Sequence, residues 1–276
     1  MGISRLLCVL LGSVLIGCSP GTPSTSENAV VAGQNGLLYA VAWKQTAAEY
    51  RALYYQGFAL ARLRVERALA DPSRDDRPLA VISDLDETLL LAPDYWGHLI
   101  AQDQDFFDDA IWDRWVPGNH FVASPGAREF LEFCLANSVE VFYVTNRDQG
   151  EATDALALAN LQALNFPYAD AQHLRVLRET SNKETVQDEI RQTHQVAVLL
   201  GDNLNDFSRQ FYVADVDARE ALLDSARDRI GTEFIVFPNP TDGHWIRAIF
   251  GESEPPATAA NRERLRQAAM RSAWQP

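Results

Sequence analysis

The chain has 276 residues, and 24 Lys+Arg against 38 Asp+Glu give a net charge of −14. Hydrophobic residues make up 47 %, which excludes intrinsic disorder for most of the chain. The negative balance excludes a nucleic-acid polymer as partner, because such a surface needs a basic footprint; a small anionic substrate stays open if a cation neutralises it. Three cysteines, Cys8, Cys18 and Cys134, exclude a disulfide framework.

In chain order, Arg5 precedes an apolar run from Leu6 to Ile16, too short to span a bilayer as a helix but of the length of a signal-peptide core. The run ends in Leu15-Ile16-Gly17-Cys18, which resembles the lipobox of bacterial lipoproteins. The resemblance implies cleavage of residues 1–17 and lipidation of Cys18, which would tie the protein to a membrane. Residues 18–36 are rich in Ser, Pro and Gly and read as a flexible tether. Ser19 after the cysteine resembles the outer-membrane sorting signal of Gram-negative hosts. The expected location is therefore the cell envelope, lipid-anchored and facing periplasm or exterior. Cys8 would leave with the signal, and Cys134 reads as a buried small hydrophobe.

Residues 37–250 form the expected folded domain. Residues 37–69, Ala-rich and without Pro, predict one helix within an N-terminal helical part that extends to residue 77. Apolar runs at 79–83, 139–144, 196–200 and 234–237 predict buried parallel strands, with helices around 126–137, 149–164, 182–193 and 217–229. Alternating strands and helices predict an α/β fold with helices on both faces of a parallel sheet. The aromatic-rich, acidic segment 89–124 reads as a small cap-like insertion, packed with the N-terminal helix. Residues 251–276 read as a tail with loose helical character.

Three predicted strands end in polar groups: Asp84-Leu85-Asp86, Thr145-Asn146-Arg147, and Gly201-Asp202-Asn203 followed by Asp206. Ligands of open α/β sheets bind outside the carboxyl ends of the strands, so these groups are expected to converge. Several carboxylates in one place repel unless a cation lies among them, and hard oxygen donors suit Mg²⁺.

The stretches Val81–Leu90 with Tyr95, and Val198–Phe207, resemble the paired signatures of class C acid phosphatases, bacterial lipoprotein phosphomonoesterases of the haloacid dehalogenase superfamily. Trp112-Asp113-Arg114-Trp115-Val116, Pro125-Gly126-Ala127, Ser181-Asn182-Lys183 and Pro238-Asn239 resemble further blocks of that family. The resemblance implies a haloacid dehalogenase-like Rossmannoid sheet and an Mg²⁺-dependent hydrolase of small phosphomonoesters, with 5′-nucleotides as candidate substrates. It implies Asp84 as nucleophile, forming an aspartyl phosphate, and Asp86 as general acid. Asp84, Asp202 and the Asp86 backbone carbonyl would hold Mg²⁺. Thr145 and Lys183 would bind the phosphoryl group, Asn146 the substrate, and Asp206 and Asn203 would support the metal site from behind. Phe107 and Trp112 are the aromatic pair expected to face the substrate. The chain departs from the family pattern at Ala92, where Asn or Thr is usual. It departs again at Asp242, which stands where relatives carry an aromatic residue near the leaving group, so a weak nucleotide preference is expected. Two other readings are a phosphotransferase on the same fold and a surface lipoprotein that binds nucleotide or haem without turnover.

Overall fold

A computed structural model describes residues 35–274; the signal, Cys18 and the tether up to residue 34 lie outside the described residues. The first half of the described chain runs through helices Leu38–Thr46 (α1) and Ala48–Ala70 (α2), strands Leu79–Ser83 (β1) and Leu90–Leu91 (β2), helices Pro93–Ala101 (α3) and Asp109–Trp115 (α4), strand Val122–Ala123 (β3) and helix Ala127–Ala136 (α5). There follow Glu140–Asn146 (β4), Thr153–Ala163 (α6), Leu174–Leu177 (β5), Glu184–Thr193 (α7), Gln195–Gly201 (β6), Val216–Ser225 (α8), Phe234–Val236 (β7), His244–Phe250 (α9) and Ala259–Ala269 (α10).

Five strands form one parallel sheet in the order β5-β4-β1-β6-β7. All five residues of β1 are buried, as its continuous apolar run requires of a central strand covered on both faces. Side chains alternate between the faces. Val81, Tyr143 and Leu200 pack on one side with Tyr54 and Phe58 of α2 and Leu131 of α5. Ala80, Ile82 and Phe142 pack on the other with Val186 and Ile190 of α7. The chain runs outward from β1 through β4 to β5 and then returns to β6 on the opposite side of β1. The carboxyl ends of β1, β4 and β6 therefore flank the point where strand order reverses, which is where such sheets open a crevice.

Three differences from the sequence reading have physical causes. The helix expected over 37–69 is broken at Ala47, whose backbone is extended. α1 leans on α3 of the insertion while α2 lies across the sheet, and one straight rod cannot do both. No Gly or Pro marks the break. The edge strand β5 was not expected, since it is short, half-exposed and carries Arg175. The tail contains α10, capped by Thr258 and packed on α9, with Arg262 bonded to the buried Asp105.

The insertion is fastened at its base by antiparallel pairing of β2 with β3. Its interior is an aromatic cluster in which the Tyr95 ring meets Trp96, Phe107, Trp112 and Trp115, mostly edge-on or tilted, the arrangement that ring quadrupoles favour. Asp108 caps α4 by accepting from Ile111 N.

Candidate active site

β1 hands the chain to a tight loop, Asp84 to Thr88, in which the amides of Thr88, Leu89 and Leu90 all return to Leu85 O. Glu87 sits there in the left-handed region at φ 57°, a conformation uncommon for a residue with a side chain. Its backbone carbonyl accepts from Tyr54 OH at 2.5 Å, and its carboxylate accepts from Trp96 Nε1 and Lys44 Nζ, both at 2.6 Å. β6 hands over at Gly201. A Cβ there would lie 2.6 Å from the Asp206 side chain, so only glycine lets Asp206 fold back over the strand end. Asp206 Oδ2 then accepts from Asn203 N, closing a capping box over Leu204–Asp206.

The loops converge as the strand ends predicted. Asp84, Asp86, Thr145, Asn146, Lys183, Asp202, Asn203 and Asp206 all border one cavity of about 140 Å³. Asp84, Asp202 and Asp206 each place a carboxylate oxygen within 4.8 Å of the others. Lys183, buried at the start of α7, bonds Asp84 Oδ1 and reaches Asp206 Oδ1 at 2.7 Å. Burial alone would lower the Lys183 ammonium, but Asp206 and Asp84 hold its pKa above the usual value. Burial and the neighbouring carboxylates push Asp84 up to about 7 even with Lys183 opposing, and raise Asp202 well above the carboxylate range. Crowded, buried acids of this kind are the donor set a hard divalent cation fits, since its charge reverses the repulsion. The Asn205 side chain supports that fit. It is buried in the cavity wall, and neither amide atom has a partner among the described residues, so it can serve a coordinated water or a phosphoryl oxygen.

Asp86, two residues from Asp84, is held separately. Arg147 clasps its carboxylate with two nitrogens, Nε reaching Oδ2 at 2.7 Å, and Nη1 of the same guanidinium bonds Asn160 Oδ1 at 2.8 Å. The Thr145 hydroxyl lies 3.4 Å from Asp86 Oδ2. The side chain of Asp86 therefore belongs to the Arg147 flank rather than to the three-carboxylate cluster.

The structure does not bring Phe107 and Trp112 to this cavity. Trp112 is 7 % exposed and stacks on Trp115 inside the insertion, and Phe107 packs against the same cluster. The physical reason is that large apolar rings find partners in one another before they find solvent. Trp112 approaches the site only through Arg147, whose guanidinium lies over the Phe121 ring at 5.0 Å and near Trp112 at 6.0 Å. Asp242 does border the cavity, with its carboxyl raised by burial to about 6. His244 also borders it, and burial lowers its imidazole to about 4.

Several residues of the site had gone unassigned. Arg147 had a signal: it follows Thr145 by two, so strand alternation sends both to one side. Asn239, at the end of β7, donates to Asp202 Oδ2 at 2.7 Å, a partner that strand-end logic alone would have placed nearby. Lys44 and Asn205 carried no sequence signal of this kind.

Residues 24–245 match the family model for the HAD superfamily, subfamily IIIB (Acid phosphatase), and the chain belongs to that family. It is thus an acid phosphatase, a hydrolase of small phosphomonoesters. Its fold is similar to that of a class C acid phosphatase from Bacillus anthracis, in a crystal structure with tungstate bound, at 27 % identity and a TM-score of 0.77. The match covers 88 % of this chain and 98 % of the other. A second structure of the Bacillus anthracis class C enzyme matches with the same identity, coverage and TM-score.

Proposed function

We propose that the protein is an Mg²⁺-dependent acid phosphatase that works through an aspartyl-phosphate intermediate on Asp84. The observation that carries this reading is the arrangement of Asp84, Asp202 and Asp206 around one point, with Lys183 bonded to the first and last. In this reading Asp84 attacks phosphorus, the ester P–O bond breaks, and the leaving oxygen takes a proton from Asp86. Water then cleaves the acyl phosphate with Asp86 as base, and inorganic phosphate departs. Lys183, Thr145 and the Asn205 amide, which all border the cavity, would neutralise or donate to the phosphoryl oxygens. Asp84, Asp202 and the Asp86 backbone carbonyl would hold Mg²⁺, with Asp206 supporting the site from behind through Lys183 and Asn203 N, and the cation would supply the positive charge that lets an anionic nucleophile approach an anionic phosphate. Arg147 fixes the orientation of Asp86 through both carboxylate oxygens, and one of them would have to leave that grip to carry the proton passed to the leaving group.

The test is turnover of p-nitrophenyl phosphate at acidic pH. Asp84→Asn is expected to lower kcat by on the order of 10³-fold or more, and EDTA to remove activity that Mg²⁺ restores. Full activity of either sample would overturn the mechanism. Free phosphate in the medium, rather than a phosphorylated acceptor alcohol, separates hydrolysis from the phosphotransferase reading. Phe107 and Trp112 lie away from the cavity, and Asp242 lies on it. This supports broad use of small phosphomonoesters over a preference for 5′-nucleotides.

The Leu15-Ile16-Gly17-Cys18 motif supports a lipid anchor at the cell envelope. Incorporation of labelled palmitate in bacterial cells, lost in Cys18→Ser, is the expected result; equal labelling of both would refute the anchor.

A further inference from the structure

α1 lies outside the strand-end loops, yet one of its residues reaches the loop after β1 and the loop after β7. Lys44, 7 % exposed at its side chain, bonds Glu87 Oε2 at 2.6 Å and Thr241 Oγ1 at 2.7 Å. Thr241, fully buried, lies 2.8 Å from Asn239 Oδ1, and Asn239 Nδ2 lies 2.7 Å from Asp202 Oδ2.

The direction of this chain follows from what each group can do. A lysine ammonium has donors and no acceptor. The Thr241 hydroxyl must therefore accept from Lys44, and it is left to donate its single proton to Asn239. The amides of Thr241 and Asp242 also point at Asn239 Oδ1, at 3.1 and 3.2 Å. Three donors converging on Oδ1 oblige the Asn239 amide to present Nδ2 to Asp202. Reversed, its carbonyl would face a carboxylate. Asp202 Oδ2 is thereby engaged, and Oδ1, touched among the described residues only by Thr88 Oγ1 at 3.3 Å, is left for another partner.

We infer that Lys44 is a positioning residue of the metal site: through Thr241 and Asn239 it sets which oxygen of Asp202 is offered to the divalent cation, while through Glu87 it pins the loop that carries Asp84 and Asp86. The inference rests on the proposed role of Asp202 as a cation ligand. Partners standing behind metal ligands typically change affinity by about 10- to 100-fold when removed. The chain would thus give an N-terminal helix, about 40 residues ahead of the first signature, an indirect hold on the cation through Thr241, Asn239 and Asp202.

Calorimetric Mg²⁺ binding to the purified protein tests this apart from activity. Thr241→Val removes the hydroxyl and keeps the shape and the Lys44–Glu87 pair; it is expected to weaken Mg²⁺ binding about tenfold. Thr241→Ser keeps the hydroxyl and is expected to bind within about threefold of the parent, by the same reasoning. Lys44→Met alone leaves Glu87 buried without its cation and is expected to lower Tm. The double variant Lys44→Met with Glu87→Gln removes both charges, so it is expected to regain Tm yet still bind Mg²⁺ weakly. Parent-like binding by Thr241→Val and by the double variant would overturn the relay. Absence of Mg²⁺ binding by the parent would instead overturn the metal-site reading on which the relay depends.

Discussion

The strand-end loops and the aromatic insertion lie side by side but are built on opposite rules. The loops bury charge. Asp84, Lys183 and Glu87 are each under 9 % exposed, and each is paired. The insertion buries rings that pack on one another, although the indole N–H of Trp115 is buried there without a partner among the described residues. Buried charge is costly unless every member has a partner, so a cluster of it marks a place where a ligand is anticipated. Buried aromatic surface needs no such justification, because area alone stabilises it. In the proposed mechanism the insertion would act on the reaction from behind. Its rings support the Arg147 guanidinium, and Arg147 holds Asp86.

Trp112→Ala gives the widest break in that comparison. A ring core of this kind should lose about 3–5 kcal/mol of stability on truncation, measured by urea unfolding. The ratio of kcat/KM for AMP to that for glycerol phosphate should move by no more than about twofold, since a ring confined to the core discriminates neither. A selective loss on AMP with stability intact would restore Trp112 as a substrate platform.

Arg147 sharpens the boundary between the two regions. Arg147→Lys keeps a positive charge but loses the two-pronged grip on Asp86 and the bond to Asn160, so it is not a conservative change. The expected result is a fall in kcat of about 100-fold, the scale of a lost general acid, with KM moved less than about threefold. Steady-state kinetics on p-nitrophenyl phosphate measures both. Parent-like kcat would mean that Asp86 needs no clamp.

How much of this was legible in the sequence follows from the same contrast. The parallel sheet was readable because β1 and β6 are unbroken apolar runs, a pattern only strands buried on both faces tolerate. The convergence of Asp84, Asp86, Thr145, Asp202 and Asp206 was readable because strand ends of such a sheet share one edge. Lys183 was readable because a cation at a helix start opposes the helix dipole and must answer to something else. The break at Ala47 was not legible, since alanine carries no preference strong enough to announce it. Lys44 was not legible for the same reason: its partners Glu87 and Thr241 are 43 and 197 residues away, and nothing local ties it to them. Phe107 and Trp112 do not border the cavity, and a cluster of rings in the sequence does not show which way each one faces.

His244 gives the smallest effect and tests the loops from their far side. Its Nδ1 lies 2.9 Å from Asn203 Nδ2, and the Asn203 Oδ1 is already taken by Arg219 at 3.0 Å. Asn203 therefore donates, and the imidazole must accept as the neutral form. Burial, with Arg219, Arg209 and Lys183 nearby, lowers its pKa to about 4 although Asp206 opposes. An unfolded histidine titrates near 6.5. Between those values the unfolded chain binds more protons than the folded one, so this group's contribution to stability rises with pH across that window. Above it, His244→Gln should cost about 1 kcal/mol for the lost hydrogen bond. As pH falls from 6.5 towards 4, the parent alone should lose up to about 2 kcal/mol, less than the full linkage value because the ring is only partly shielded. Raised carboxyls such as Asp84 and Asp242 act with the opposite sign, since their stabilising share is lost as pH rises, but they are common to both proteins and cancel in the difference. Urea unfolding of both proteins at several pH values should therefore show the parent's advantage shrinking and then reversing on acidification. A constant gap would mean that His244 is already protonated in the fold, and with it the assignment of Asn203 as donor would fall.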